Sequence, residues 1–235
     1  MLDAIFFDLD GTLLPMDYKT FTKGYLSLLA KAVAPMGYRA ETMIPAMWKG
    51  VAAMTVNDGS RSNEAVFWVV FFHDLGKEAY EHIPSFDAFY DKEFHQAIAF
   101  TEPVPDAARK AVALAKEKAK YVVLATNPLF PRVAVRSRLT WAGLAESDFD
   151  HITDYANSST CKPNPAYYLQ IAKELGVNPR NCLMIGNNTE EDIQAAQKAG
   201  LSTFLLTDCL IEQIPTPTTP KGSYEDLFDY LQALS

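Results

Sequence analysis

Leu2, Ala4, Ile5, Phe6 and Phe7 form a nearly unbroken apolar run that stops at Asp8. A strand with one face in water alternates apolar with polar residues. A run that is apolar on both faces suits the middle of a parallel sheet covered on both sides. Two carboxylates follow at once, Asp8 and Asp10, two positions apart. At a strand end this spacing points both side chains the same way. Two anions held together need a cation or a shared proton, and a hard divalent metal with oxygen ligands meets that need. Gly11 permits a tight turn out of the strand.

Further along, strand-like and helix-like stretches alternate. A helix is expected from Pro105 and Asp106 through Ala119, a strand over Tyr121 to Ala125, and a helix from about Pro131 to Trp141. A short strand is expected over Asp150 to Thr153, and a helix over Asn164 to Leu175 that Gly176 ends. Then come a strand over Cys182 to Ile185, a helix over Glu190 to Ala199 and a strand over Ser202 to Leu206. The last helix starts near Ser223, whose spacing to Asp226 is that of a capping box. This alternation implies an α/β, doubly wound parallel sheet. Residues 15–103 break the pattern, with helix-length stretches and almost no strand-like alternation. They read as an inserted, smaller all-helical lobe, with hinges near Leu14 to Asp17 and Thr101 to Pro105. The expected division is a core of 1–14 and 104–235 and a helical domain of 15–103.

Composition narrows the function. A chain of 235 residues can bury a large core without disulfide staples. Its three cysteines, Cys161, Cys182 and Cys209, lack a CxxC spacing, which argues against zinc and for a reducing compartment. A net charge of -8 argues against nucleic-acid binding. The start of the chain has no basic segment of a signal peptide. The longest apolar run, Ala65 to Phe72, is far below the roughly 20 residues that span a bilayer. A cytoplasmic enzyme without nucleic-acid or membrane partners, monomeric or homodimeric, is the expectation.

Four segments carry the chemistry: Asp8-Leu9-Asp10-Gly11-Thr12; Thr126-Asn127 after the apolar Val122 to Ala125; Lys162 in Cys161-Lys162-Pro163-Asn164-Pro165; and Gly186-Asn187-Asn188-Thr189-Glu190-Glu191-Asp192. In order, spacing and strand-end placement they resemble the four motifs of the haloacid dehalogenase superfamily, over residues 1–14 and roughly 104–210. The resemblance implies a magnesium-dependent phosphatase for a small phosphorylated substrate, with a helical cap where the insertion falls. Asp8 would attack phosphorus and become an aspartyl-phosphate. Asp10 would protonate the leaving oxygen and then activate water. Thr126 and the amide of Asn127 would hold phosphate oxygens, with Gly11 and Thr12 beside them, and Lys162 would neutralise accumulated charge. That last role matters, because two unit charges 4 Å apart at an effective dielectric of 20 interact by about 4 kcal/mol.

The fourth motif departs from the pattern. Asn187 and Asn188 stand where the family carries an acid, leaving Asp192 as the charged candidate, with Glu190 and Glu191 expected on an exposed helix start. The resemblance thus implies a metal site of Asp8, Asp10, Asn187 and Asp192, with weaker affinity or a rearranged ligand set, since an amide oxygen brings no charge. In the insertion, Asn57, Asp58, Ser60, Arg61 and Asn63 form a polar cluster between apolar runs. It reads as a solvated turn, or as a site where Arg61 or Lys49 binds a second anionic group of the substrate. The stretch Val66 to Phe72 reads as the core of the helical lobe, with Trp68 or Phe72 lining an apolar pocket as the alternative. Phosphonate cleavage through a Lys49 Schiff base, a sugar-phosphate mutase, dehalogenation and a non-catalytic phospholigand module remain competing readings.

Overall fold

The computed structural model describes residues 1–102 and 106–234. Its strands are β1 (Leu2–Phe7), β2 (Ala119–Leu124), β3 (His151–Ile152), β4 (Cys182–Gly186), β5 (Ser202–Leu206) and β6 (Lys221–Gly222). They form one parallel sheet in the order β3-β2-β1-β4-β5-β6. β1 lies inside it, with Phe7 level with Leu124 on one side and Ile185 on the other.

The apolar run of β1 is explained by its surroundings. Successive strand residues point to opposite faces, and both faces are covered. Ile5 and Phe7 face a cluster that includes Val112 of α5 (Ala107–Lys118), Leu139 of α6 (Arg132–Trp141) and Leu227 of α9 (Tyr224–Ala233). Ala4 and Phe6 face Tyr168 and Ile171 of α7 (Pro165–Leu175) and Ala196 of α8 (Ala195–Lys198). The sheet is therefore doubly wound, as the alternation of elements implied.

Between β1 and α5 the described residues contain helices and no strand: α1 (Tyr18–Val33), α2 (Ala40–Thr55), α3 (Asn63–Leu75) and α4 (Ile83–Lys92). Asp17 caps α1 by accepting the Thr20 N–H at 2.8 Å, and Ser62 caps α3 by accepting the Ala65 N–H at 3.2 Å. Phe67, Trp68, Phe71 and Phe72 of α3 are buried, with Trp68 stacked on Phe72 at 5.1 Å between ring centroids. Val69 turns outward. The buried cluster runs unbroken from Ile5 and Phe7 into these helices. Part of the second expected hinge, at 103–105, lies outside the described residues. No helix is long and apolar enough to cross a membrane among the described residues.

Two details depart from the sequence reading. The helix expected from Glu190 opens at Thr189 with a wide π-type turn (Thr189–Gln194), in which the Asn188 carbonyl accepts from both Asp192 and Ile193. The polar cluster of residues 57–63 is a solvated turn over Asp58 to Arg61, but its two ends, Asn57 and Asn63, are buried and form a joint. Asn63 is fully buried and its Nδ2 reaches the carbonyls of Pro128 at 3.4 Å and Thr160 at 3.3 Å. Its own N–H donates to the Ser158 carbonyl, and the Asn57 amide donates to its Oδ1 at 2.8 Å. The start of α3 is thereby fastened to the two loops that carry Thr126 and Lys162. An Asn63→Ala variant leaves these buried acceptors unsatisfied and should lose about 1–3 kcal/mol. The expected result is a midpoint several degrees below wild type in a thermal melt, with an unchanged far-UV spectrum at 20 °C.

Candidate active site

The cavity lies at the carboxyl ends of β1, β2 and β4, where an open parallel sheet leaves its crevice. It measures about 830 Å³ and is lined by Asp8, Asp10, Thr126, Asn127, Asn187, Asn188, Glu191 and Asp192. Residues that are far apart in the chain meet there because neighbouring parallel strands end at one level.

Asp8 is the first residue beyond β1, and its N–H donates to the Ile185 carbonyl of β4. The chain then turns back tightly, with the Gly11 N–H donating to the Leu14 carbonyl at 2.8 Å. Gly11 has φ +86°, and a β-carbon there would stand 2.3 Å from the Asn187 side chain. Any other residue meets both a left-handed backbone and a clash.

Lys162 occupies the base of the site. Its Nζ donates to Asp8 Oδ1 at 2.8 Å and to Asp192 Oδ1 at 2.7 Å, and the side chain is wholly buried. Burial alone would lower the pKa of the ammonium, but Asp192 and Asp8 reverse this and hold it well above its ordinary value. Asp192 Oδ2 also accepts the backbone N–H groups of Asn187 and Asn188, each at 3.0 Å. Burial and the nearby Asp8 raise the Asp192 pKa while Lys162 lowers it. Three donors on its two oxygens keep it a carboxylate.

Asp10 has a partner that the sequence did not suggest. Arg138 of α6, completely buried, forms an ion pair with Asp10 Oδ2 and lies over the Phe130 ring at 4.3 Å. Asp10 Oδ1 is buried without a hydrogen-bond partner. The Asp10 pKa is raised, chiefly by burial, which outweighs the attraction of Arg138.

Glu191 was expected on an exposed helix start and instead faces the cavity. The wide opening turn and the Asn127 amide, which donates to its carboxylate at 3.1 Å, hold it there. Burial, then the charges of Asp192 and Asp8, push its pKa up to about 7. The signal that could have found it was faint: the Asn188 side chain caps the turn by accepting the N–H groups of Glu190 and Glu191, and this fixes which acid turns inward.

The remaining sequence candidates fall into two groups. Thr126 lines the cavity, with its carbonyl held by the hydroxyls of Thr153 at 2.8 Å and Tyr167 at 2.9 Å. Asn127 lines it too. Thr12 is buried behind the cavity, donating to Asn187 Oδ1 at 3.2 Å, while Asn187 Nδ2 donates to the Cys209 carbonyl at 2.6 Å. Lys49 and Arg61 do not join the site. Lys49 is exposed and paired with Asp74 at 2.5 Å, and Arg61 is exposed on the loop before α3.

Four carboxylates at the base of the cavity, Asp8, Asp10, Glu191 and Asp192, face two buried cations, Lys162 and Arg138. Among the described residues, no three acidic, histidine or cysteine side chains form a closed metal cage. Magnesium needs none, since it commonly takes one or two carboxylates and completes its shell with water and substrate phosphate. The surplus negative charge and the unpartnered oxygens of Asp10 and Asn127 fit such an ion.

A family model described as haloacid dehalogenase-like hydrolase matches residues 2–200. The chain thus belongs to the haloacid dehalogenase-like hydrolases, a family of enzymes. It is 33% identical over 101 residues, 43% of this chain and 41% of the relative, to the Bacillus subtilis (strain 168) protein named "Putative phosphatase YhcW". The matched region spans less than half the length of the curated relatives. Among solved structures, a 2-haloacid dehalogenase of Pseudomonas syringae pv. Tomato DC3000 superposes with TM-score 0.65 and 18% identity over 99% of both chains. The HAD-hydrolase YfnB of Bacillus subtilis, solved bound to magnesium, gives TM-score 0.58 and 18% identity over 98% of both. At that identity these two establish the fold alone.

Arg138→Leu should leave the Asp10 carboxylate without its counter-charge in a largely buried place, at a cost of about 3–5 kcal/mol. Urea unfolding at pH 7 is the measurement. A midpoint equal to wild type would show that the pair contributes nothing to folding.

Proposed function

We propose that this chain is a phosphatase acting on small phosphate monoesters through a covalent intermediate on Asp8. The observation that carries this reading is Asp8 itself, a carboxylate at the floor of a large cavity, held by a buried ammonium and faced by Asp10, Thr126 and Asn127. A carboxylate approaching a phosphate is repelled by it. Lys162 lowers that repulsion while aiming Asp8. A divalent cation, as Mg2+, held by Asp8 and Glu191 with oxygens of Asp10, Asn187 and Asp192 about them, would supply further positive charge to nucleophile and phosphate.

In the first half-reaction an Asp8 oxygen bonds to phosphorus and the ester P–O bond breaks. Asp10, with its raised pKa, gives its proton to the leaving alkoxide. Thr126 and Asn127 hold the transferred group's oxygens. In the second half-reaction Asp10, now ionised and steadied by Arg138, takes a proton from water as the water attacks phosphorus. The aspartyl–phosphate bond breaks and Asp8 returns to its starting state. In this reading residues 15–103 act as a cap domain on a core of 1–14 and 104–235.

Asp10 also favours this chemistry over dehalogenation, which has no leaving alkoxide to protonate. Phosphonate cleavage through Lys49 loses its support, because that amine is paired with Asp74 outside the cavity.

Asp8→Asn should abolish hydrolysis of 4-nitrophenyl phosphate with Mg2+ while leaving the fold intact by circular dichroism. Residual turnover above a few per cent would reject the nucleophile. Chelation should stop the wild-type enzyme, and added Mg2+ should restore it.

The neutral residues of the fourth motif separate under a second test. Asn188→Asp keeps the helix cap, since Asp caps as well as Asn, and adds a charge beside the cavity. Calorimetric titration should show Mg2+ binding tighter by about tenfold, worth about 1.4 kcal/mol. Asn187→Asp instead sets a carboxylate against the Cys209 carbonyl and should lower the melting temperature. If Asn187→Asp left Mg2+ affinity unchanged in the same titration, Asn187 would not belong to the ligand set given above.

A further inference from the structure

A second cavity lies between α1, α2, α3 and the loop after Thr126. It has room for about 70 Å³ and is lined by the helical segment together with Leu129, Phe130, Pro131 and Tyr155. Tyr18, Val51, Leu129 and Phe130 line both this slot and the cavity of Asp8, so the two adjoin. We infer that the slot receives the leaving group, and that the substrates are phosphate monoesters of uncharged, apolar alcohols, alkyl or aryl.

Three observations carry this. First, no lining residue of the slot is charged, and its walls are rings and aliphatic chains such as Leu29, Met47, Trp68 and Phe71. A second phosphate, a carboxylate or an amine on the leaving group would lose its hydration there with no partner, at a steep cost. Lys49 and Arg61 lie outside both cavities, and Lys19, also of the insertion, lines the cavity of Asp8 but not the slot, so its charge serves the phosphate end.

Second, polarity changes along one side chain. Tyr18 lines the cavity of Asp8 together with Asp10 and Glu191. The residue also lines the apolar slot. Tyr18 thus marks the boundary between a phosphate-handling half and a leaving-group half.

Third, the few polar groups of the slot leave one donor over. The hydroxyls of Tyr25 and Tyr90 bond each other at 3.0 Å. The Trp68 indole N–H is buried with no hydrogen bond of normal geometry, although it lies close enough to Tyr155 to offset part of the burial that raises that phenol's pKa. It can donate to one weakly polar atom, such as an ether or carbonyl oxygen, in an otherwise apolar group.

This inference rests on the phosphatase reading, and the experiment keeps the two apart. The Mg2+-loaded full chain is assayed with n-alkyl phosphates from methyl to octyl, with glycerol 3-phosphate and glucose 6-phosphate as hydrophilic comparisons. Each methylene that enters the slot should raise kcat/KM about 4-fold until it is full. The sugar and glycerol esters should fall below butyl phosphate. In parallel, n-alkyl phosphonates, which cannot be hydrolysed, are titrated against intrinsic fluorescence, since Trp48 and Trp68 both line the slot. Their affinity should rise with chain length, and Val51→Trp, which narrows the mouth of the slot, should flatten that rise. Affinity independent of chain length, or a preference for the hydrophilic esters, would overturn the slot's assignment. If phosphonate affinity rises with length but no phosphate ester is turned over, the slot stands and the phosphatase reading falls.

Discussion

One ammonium group organises this molecule. Lys162 is sealed from solvent between Asp8 and Asp192. A charge in that position survives only when its partners are well placed and their other oxygens are satisfied. Here the backbone N–H groups of Asn187 and Asn188 satisfy Asp192, and the end of β1 presents Asp8. The arrangement therefore depends on β1 and β4 running side by side in register, and on the turn after β4 closing on its own Asp192. Disturbing either would leave a buried charge unpaired, so the sheet and the chemistry hold each other in place.

Around that ammonium the site carries more negative charge than it cancels. Asp10 has Arg138, and Asp192 shares Lys162 with Asp8, while Glu191 has only the Asn127 amide. Burial chiefly raises the pKa values of Glu191 and Asp10, and neighbouring carboxylates add to the rise. A family site usually places an acid at the start of the fourth motif, where this chain has two asparagines with structural duties. Asn187 braces the Gly11 turn and the Cys209 carbonyl, and Asn188 caps the following helix. Glu191, a few residues further on, faces the cavity.

The helical segment supplies what the sheet lacks. The sheet's carboxyl ends bring Asp8, Asp10, Glu191 and Asp192 to the first cavity, whereas α1, α2 and α3 give the slot an uncharged wall. Asn63 ties that wall to the loops of Thr126 and Lys162. The position of the apolar slot relative to the nucleophile is thus set by buried hydrogen bonds as well as by packing.

The doubly wound sheet, its strand ends and the order of Asp8, Asp10, Thr126 and Lys162 were legible in the chain, because each follows from a local pattern. A strand apolar on both faces, a glycine at a left-handed turn or a cap before a helix is written within a few residues of where it acts. Arg138 and Glu191 were not legible. Arg138 sits in an ordinary helix, and only the crossing of α6 beneath the first loop brings it to Asp10. Glu191 looks exposed by helical spacing, and a wide turn, whose geometry depends on Asn188 and Asn127, aims it inward. Within the polar run from Asn57 to Asn63, nothing marked Asn63 for burial, since its acceptors belong to residues 128 and 160. Local patterns determine which elements form and where Asp8 stands. Which distant charges meet, and what shape the cavities take, is decided only when separate elements close on one another, because electrostatic and packing energies depend on distances in space and not on distances along the chain.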